Sequence, residues 1–260
     1  AAFIRYVIGT IILLPFILPL IKQSINKKDL IIYIFRGFAH GAGVILWFYA
    51  MSRIPIAEVT AISYTGPIYI SIGAAIFFGE KLALRRIIAI FIAFIGTLII
   101  LRPGFQEIST GQLAQIISAP LFAISYLLSK ELTKKHNSLV IVCMLSVFVT
   151  LILAPPAISV WVQPSMKEIL SLGIVAILAT LGHITLTQAI KSAPIIIIQP
   201  ISFLQLVWAT LIGYFIFSET VDIYVIVGGL VIIVSVTYIS YREMKLNTVY
   251  KIPQNNLTKL

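Results

Sequence analysis

Few side chains of this 260-residue chain could carry ionic or acid–base chemistry inside an apolar segment. Glu58 and Arg5 carry charge. His40 and His183 could exchange protons near neutral pH. An ionisable group costs about 2.5–3.5 kcal/mol at the centre of a membrane span, so each of these positions is a functional candidate. Glu58 would accept a cation or a proton, and Arg5 would bind a carboxylate or a phosphate through paired hydrogen bonds.

Each of these residues also has a purely structural alternative. Glu58 could pair with Arg53 at the lipid headgroups. Arg5 could be an anchor whose charge extends to the interface while its stem stays in lipid. His40 and His183 could simply hydrogen-bond a neighbouring helix.

A second set of polar and aromatic residues is predicted to line a substrate cavity. Glutamine amides without partners cost several kcal/mol in hydrocarbon, so they should face the interior of the protein. Aromatic side chains would bind an apolar or cationic substrate, with interface belts or plain packing as the alternative. The predicted lining residues are Trp47, Tyr64, Tyr126, Gln188, Gln199, Ser202, Phe203 and Gln205.

These residues lie in segments that only a membrane would solvate. The chain is 60% hydrophobic and 11% charged, with a mean hydropathy of +1.06, whereas a soluble domain is about 45–50% apolar and about 25% charged. Nine gaps between charges are long enough for helical spans. The predicted spans are 6–21, 37–52, 59–79, 87–101, 108–129, 138–160, 169–190, 192–218 and 223–241. Because these runs are apolar all round, the predicted fold class is an all-α, polytopic membrane helix bundle.

Basic residues are distributed unequally between the two sides of this bundle. Counting on alternate sides of the nine spans places 14 Lys and Arg on one side and 3 on the other, and Arg5 and Arg36 at span edges complete the 19. By the positive-inside rule the basic side, with the C-terminus, is cytoplasmic, and the expected location is the inner (plasma) membrane. The asymmetry explains the net charge of +10 without a nucleic-acid partner.

An internal repeat appears when the chain is shifted by 139 residues. The second unit then has five spans and the first has four, which predicts a tenth span before residue 1. Units with an odd number of spans have opposite orientations, so we expect an inverted repeat. The expected divisions are a first unit at 1–104, a second at 108–243 and a cytoplasmic tail at 244–260. The shift places Pro55 on Pro194, Ser63 on Ser202, Tyr64 on Phe203, Glu80 on Glu219, Gly43 on Gly182 and Ala89 on Gly228.

Several short motifs accompany this repeat. They are the segment 47–61 (WFYAMSRIPIAEVTA), Gly66-Pro67, the segment 78–81 (FGEK), Leu101-Arg102-Pro103-Gly104, Ala193-Pro194 and the segment 217–219 (FSE). With them the sequence resembles the EamA-type members of the drug/metabolite transporter superfamily. The resemblance covers nearly the whole chain and implies a ten-helix inner-membrane transporter of small metabolites with a central cavity. Carriers of S-adenosylmethionine and of amino acids are among such transporters.

Prolines are predicted to bend three of the spans. Pro67, Pro120 and Pro200 each remove a backbone hydrogen bond inside an apolar segment. Kinks at these positions would let helices act as gates and expose carbonyl groups to a cavity.

The expected function is that of a secondary transporter working by alternating access. Its substrate would be a small metabolite such as an amino acid, S-adenosylmethionine or a related solute, and the alternative is an exporter of small drugs or lipid-linked molecules. An enzyme is disfavoured because nucleophile, zinc and phosphate-loop motifs are absent from the sequence, and no cofactor or metal is expected. Membrane lipid, a proton or counter-substrate for coupling, and a second copy of the chain are the expected partners.

Overall fold

The computed structural model describes residues 1–17, 25–78, 84–102, 107–192, 204–220 and 222–250. In this part of the chain ten α-helices follow one another. They are α1 (Ala2–Ile17), α2 (Lys27–Met51), α3 (Ile56–Ser63), α4 (Gly66–Phe78), α5 (Leu84–Leu101), α6 (Thr110–Leu132), α7 (Ser138–Ser159), α8 (Met166–Ser192), α9 (Leu204–Phe217) and α10 (Ile223–Tyr250). Among the described helices, α2, α6, α7 and α8 are long and apolar enough to cross a membrane, and shorter apolar helices accompany them. The helical bundle that the sequence predicts is confirmed.

The third predicted span consists of two helices rather than one. α3 ends at Ser63 and α4 begins at Gly66, with a turn at Tyr64 and Thr65 between them. Pro67 is the second residue of α4, a position where its missing N–H is tolerated. The kink predicted at this proline is therefore a complete break in the helix.

The other two prolines behave differently. Pro120 lies inside α6, which continues past it to Leu132. Pro200 lies outside the described residues. Pro155 and Pro156 lie near the end of α7, and that helix ends at Ser159, close to the end predicted for the sixth span at residue 160.

Side chains close the N-termini of several helices. At α6, Ser109 and Gln112 form a capping box in which each side chain accepts a hydrogen bond from the backbone N–H of the other, at 3.1 and 2.9 Å. Asn26 and Asn137 cap α2 and α7 in the same way with their side-chain oxygens. Pro55, which precedes α3, offers no such side chain, so that helix needs an acceptor from elsewhere.

α5 and α10 pack against each other as an antiparallel pair. Gly96 lies against Gly228, where a Cβ on either residue would approach the backbone oxygen of the other to 2.8 or 2.5 Å. Farther along, the Ser235 hydroxyl donates a hydrogen bond to the Ala89 carbonyl. The 139-residue shift exchanges these two contacts, because it places Gly96 on Ser235 and Ala89 on Gly228. Such an exchange is what the predicted inverted repeat would give at this interface.

Apolar side chains fill the interfaces between the helices. α1, α2 and α7 bury a cluster that includes Tyr6 and Val149. α3, α4, α5 and α10 bury another that includes Ile62 and Ile232. Large apolar side chains on the outer surface remain uncovered, as with Phe215 at 74% exposure. Lipid is the solvent that such a surface requires.

Candidate solute cavity

A cavity of about 600 Å³ lies among α1, α2, α4, α6, α8 and the turn between α3 and α4, with Gln205 of α9 at its edge. This volume is within the range of small-molecule sites, about 300–1,000 Å³. Its walls are mostly aliphatic and aromatic, with a small number of polar groups. The polar and aromatic lining residues are Arg5, Tyr6, His40, Trp47, Phe48, Ser63, Tyr64, Phe122, Tyr126, His183 and Gln205.

Seven residues proposed from the sequence line this cavity together. They are Arg5 on α1, His40 and Trp47 on α2, Tyr64 in the turn after α3, Tyr126 on α6, His183 on α8 and Gln205 on α9. They come from six different elements, so the fold rather than the local sequence brings them together. The break in the third span contributes directly, since it places the Tyr64 turn in the cavity wall.

Glu58 lies outside this cavity, in the first turn of α3. Its carboxylate accepts a hydrogen bond from Gln112 Nε2 at 2.6 Å. The alternative of a pair with Arg53 is not found among the described residues, where the Arg53 guanidinium instead covers the Tyr49 ring at 4.7 Å. Glu58 therefore links α3 to the start of α6.

Gln188 is exposed on α8 and does not line the cavity. The face of α8 that lines it carries Leu186 and Ile190. Gln188 lies two residues from each of them, which is about 200° around a helix. The interior position expected for its amide is thus not found, because the rotation of this uniformly apolar helix turns that amide away.

Three further predicted site residues, Gln199, Ser202 and Phe203, lie outside the described residues. Ser63, the repeat counterpart of Ser202, does line the cavity. Its hydroxyl accepts a hydrogen bond from Gln115 Nε2 at 2.8 Å and donates to the Val59 carbonyl. The part of the cavity wall that Ser63 contributes, which corresponds to Ser202 under the predicted repeat, is therefore polar.

His40 is the centre of a buried hydrogen-bond network at the cavity wall. Its Nε2 lies 3.0 Å from the Tyr6 hydroxyl, and its Nδ1 lies 3.2 Å from the Ser125 hydroxyl. The ring of His183 packs edge-on against it, with centroids 5.5 Å apart. With the Phe122 ring at 5.0 Å, His40 is in contact with side chains from α1, α6 and α8.

Sequence reasoning did not select Tyr6, Phe48 or Phe122, all of which line the cavity. Aromatic residues in an apolar run carry no signal of burial cost, unlike a charge or an amide. The spacing of Phe122 and Tyr126 by four residues on one helix was a usable signal, since such residues share a face.

Hydrogen bonds and an ion pair tie the two predicted units together at one end of the bundle. The carboxylate of Glu219, after α9, accepts from the Ile56 N–H at 3.1 and 3.2 Å and so caps α3. Arg102, after α5, pairs with Asp222, before α10, at 2.6 Å. We call these two contacts the end clasp.

A bundle of apolar helices around a solute-sized cavity is the architecture of a membrane transporter. The sequence profile of the EamA-like transporter family matches residues 1–102 and 109–241. The chain belongs to this family and is a multi-pass membrane protein.

Named relatives and a solved structure are similar to the chain over most of its length. The S-adenosylmethionine uptake transporter of Rickettsia bellii is 26% identical over 94% of this chain and 84% of that protein. The riboflavin transporter of Brucella anthropi is 28% identical over 93% and 87%, and the pseudopaline exporter of Pseudomonas aeruginosa is 24% identical over 90% and 82%. A crystal structure of 16% identity superimposes with a TM-score of 0.66 over 92% of this chain and 86% of that one, which shows the fold alone.

Proposed function

We propose that the protein is a secondary transporter that carries a small metabolite across the inner membrane, without chemical change to the solute. The observation that carries this proposal is the cavity of about 600 Å³, with aromatic, histidine and arginine side chains in its wall. An apolar wall with a few convergent polar groups is what a solute site requires. The relatives named for three different small metabolites support the same reading.

Alternating access between two inverted units is the proposed mechanism. The exchange of contacts across the α5–α10 interface supports it, since that exchange is what two units at 1–104 and 108–243 related by a two-fold axis would give. The break between α3 and α4 supplies a jointed element next to the cavity. The basic side, with the tail at 244–260, would face the cytoplasm.

Coupling to a proton is proposed to involve the histidine pair. The rings of His40 and His183 pack edge-on against each other at the cavity wall, and His40 is within hydrogen-bonding distance of the Tyr6 and Ser125 hydroxyls. A chain of groups that donate and accept protons can pass one between helices. A counter-substrate and a homodimer remain predictions.

Transport by the purified protein in liposomes tests the proposal. The solutes are amino acids, S-adenosylmethionine, riboflavin and pseudopaline, each followed as uptake of radiolabel against a gradient or in counterflow. Trp47→Ala removes a ring from the cavity wall, so uptake of any accepted solute should fall at least tenfold. Trp208→Ala removes a ring that is 62% exposed on α9 and should leave uptake unchanged.

Two results would change this assignment. Equal loss in both tryptophan variants would contradict the cavity as the solute site. A second result would be a melting temperature that rises only with hydrophobic cations or lipid-linked sugars, with no uptake of the soluble solutes. That result would favour the exporter of drugs or lipid-linked molecules.

A further inference from the structure

We infer that the solute carried is a small organic anion, a carboxylate or phosphate attached to a flat apolar group. The inference rests on the proposed transport function and names the chemical class for the same cavity. It follows from which charges lie in and beside the cavity, and from where the opposite charges are.

Two arginines supply positive charge to the cavity region. Arg5 lines the cavity itself. Arg36 lies one helical turn before His40 on α2 and is only 3% exposed. It donates from Nη1 to the Ile141 carbonyl at 2.8 Å, and its buried Nε has no partner among the described residues. Both arginines are close enough to His40 and His183 to act on them electrostatically.

No carboxylate lines the cavity in the described part of the chain. Glu107 is exposed. The other carboxylates whose side chains the structure describes have partners elsewhere, at or beyond the ends of helices. They are Asp29, Glu58, Glu131, Glu168, Glu219 and Asp222.

Arg5 and Arg36 therefore have no counter-ion among the described residues. A buried charge without a counter-ion, such as that of Arg36, is costly, and its field is screened weakly in an apolar surrounding. An anion that enters the cavity lowers this cost, whereas a cation raises it. The protein thus discriminates by charge before any shape recognition.

The remainder of the wall selects the apolar part of the solute. Trp47, Tyr64 and Tyr126 lie on the same cavity as Arg5. The Arg5 guanidinium covers the Tyr6 ring at 4.0 Å, so cation and aromatic surface are adjacent. A planar group stacked on these rings, with its carboxylate or phosphate toward Arg5, matches both features.

A charge series on one ring tests the inference. Indole-3-propionate, its amide and the corresponding amine have nearly the same size and carry negative, zero and positive charge. Dissociation constants are measured by calorimetry on the purified protein at low and high salt. The anion should bind at least tenfold more tightly than the other two, and added salt should weaken its binding most.

Three variants assign the preference to the arginine. Arg5→Gln should weaken anion binding about ten- to a hundredfold, which is the range for one charge-assisted pair of hydrogen bonds. Arg5→Lys keeps the charge and should restore part of the preference for the anion over the amide. Lys167→Gln removes an exposed cation away from the cavity and should change nothing. The melting temperature of each unliganded variant shows whether it has folded.

The outcomes separate this inference from the function it rests on. Equal binding of the three probes, or tighter binding of the amine, with binding lost in Trp47→Ala, overturns the anion class and leaves the cavity as a solute site. Uptake of a neutral or cationic solute by a protein that binds no anion would also overturn the anion class and leave the transport proposal intact. Absence of both binding and uptake for every solute overturns the transport proposal together with the inference.

Discussion

At the scale of residues, the site depends on a small number of polar groups that are each held by more than one neighbour. His40 is 4% exposed and lies within hydrogen-bonding distance of two hydroxyl groups. A buried imidazole with both nitrogens satisfied is kept in one orientation, so its contact with His183 is also fixed. Tyr6 contributes to this arrangement on one side and lies under Arg5 on the other. The network therefore connects the histidine pair to the arginine.

Tyr6→Phe tests the strength of this network. The substitution removes only the hydroxyl that is 3.0 Å from His40 Nε2, so the protein should lose about 1 kcal/mol of stability and melt at a lower temperature in detergent. Tyr214→Phe removes a hydroxyl from a side chain that is 56% exposed on α9 and should have little effect. Equal melting temperatures for the two variants would show that the Tyr6 hydroxyl contributes nothing measurable.

The sequence could reveal those residues whose side chains are energetically costly to place in an apolar helix. Arg5 and His183 stood out because a charge or an imidazole is expensive in an apolar helix, and both line the cavity. Gln188 stood out for the same reason but faces outward. On a helix that is apolar all round, the sequence contains no rotation signal, so the side of the helix that faces the cavity could not be predicted. Phe122 was missed because a phenylalanine costs nothing in lipid.

At the scale of elements, helix spans were predictable and helix contacts were not. The hydrophobic gaps gave most helix ends to within about four residues, since length and charge decide where a helix can cross a membrane. Two exceptions are α2, which begins at residue 27 where 37 was predicted, and α10, which ends at residue 250 where 241 was predicted. Pro67 was the sequence signal for the break between α3 and α4, and it predicted a kink rather than a complete break. The contact between Gly96 and Gly228 needs two backbones to meet, and single-helix patterns do not show which small residues pair.

Gly228→Ala tests this contact. The added Cβ would lie 2.5 Å from the Gly96 carbonyl oxygen, so α5 and α10 must separate, at a cost of about 1–3 kcal/mol. Gly173→Ala on α8 is the matched control, because a Cβ there meets no atom within 4 Å and alanine favours a helix by about 1 kcal/mol over glycine. The melting temperature should fall in the first variant and stay or rise in the second. A stable Gly228→Ala protein would mean that the two helices are free to move apart.

At the scale of the whole molecule, the end clasp joins the two units that the repeat predicts. Glu219, which follows α9, caps α3, and Arg102, which follows α5, pairs with Asp222, which precedes α10. In a protein that works by alternating access, contacts of this kind close one face and must separate when that face opens. Their strength then sets how often the cavity is reached from that side.

Glu219→Gln combined with Asp222→Asn should loosen the clasp without removing a side chain. Both changes eliminate a negative charge, and ion pairs and charged caps weaken when one charge is lost. In a Cys143→Ala background, a Ser63→Cys substitution in the cavity wall reports access to a membrane-impermeant thiol reagent. Labelling from the side of Arg102 should become several-fold faster with the double substitution. An unchanged rate would show that these contacts do not control entry.

The α5–α10 interface has a mechanical consequence that the clasp does not share. Its contacts map onto one another under the predicted repeat, so in the proposed cycle an exchange of conformations between the two units would leave Gly96 on Gly228 and Ser235 on Ala89. Such an interface would act as a fulcrum with the same contacts at both ends of that cycle. Damage to it would lower the stability of the carrier without biasing the direction in which it faces. Natural variation in transport direction should therefore accumulate in the clasp and spare the fulcrum.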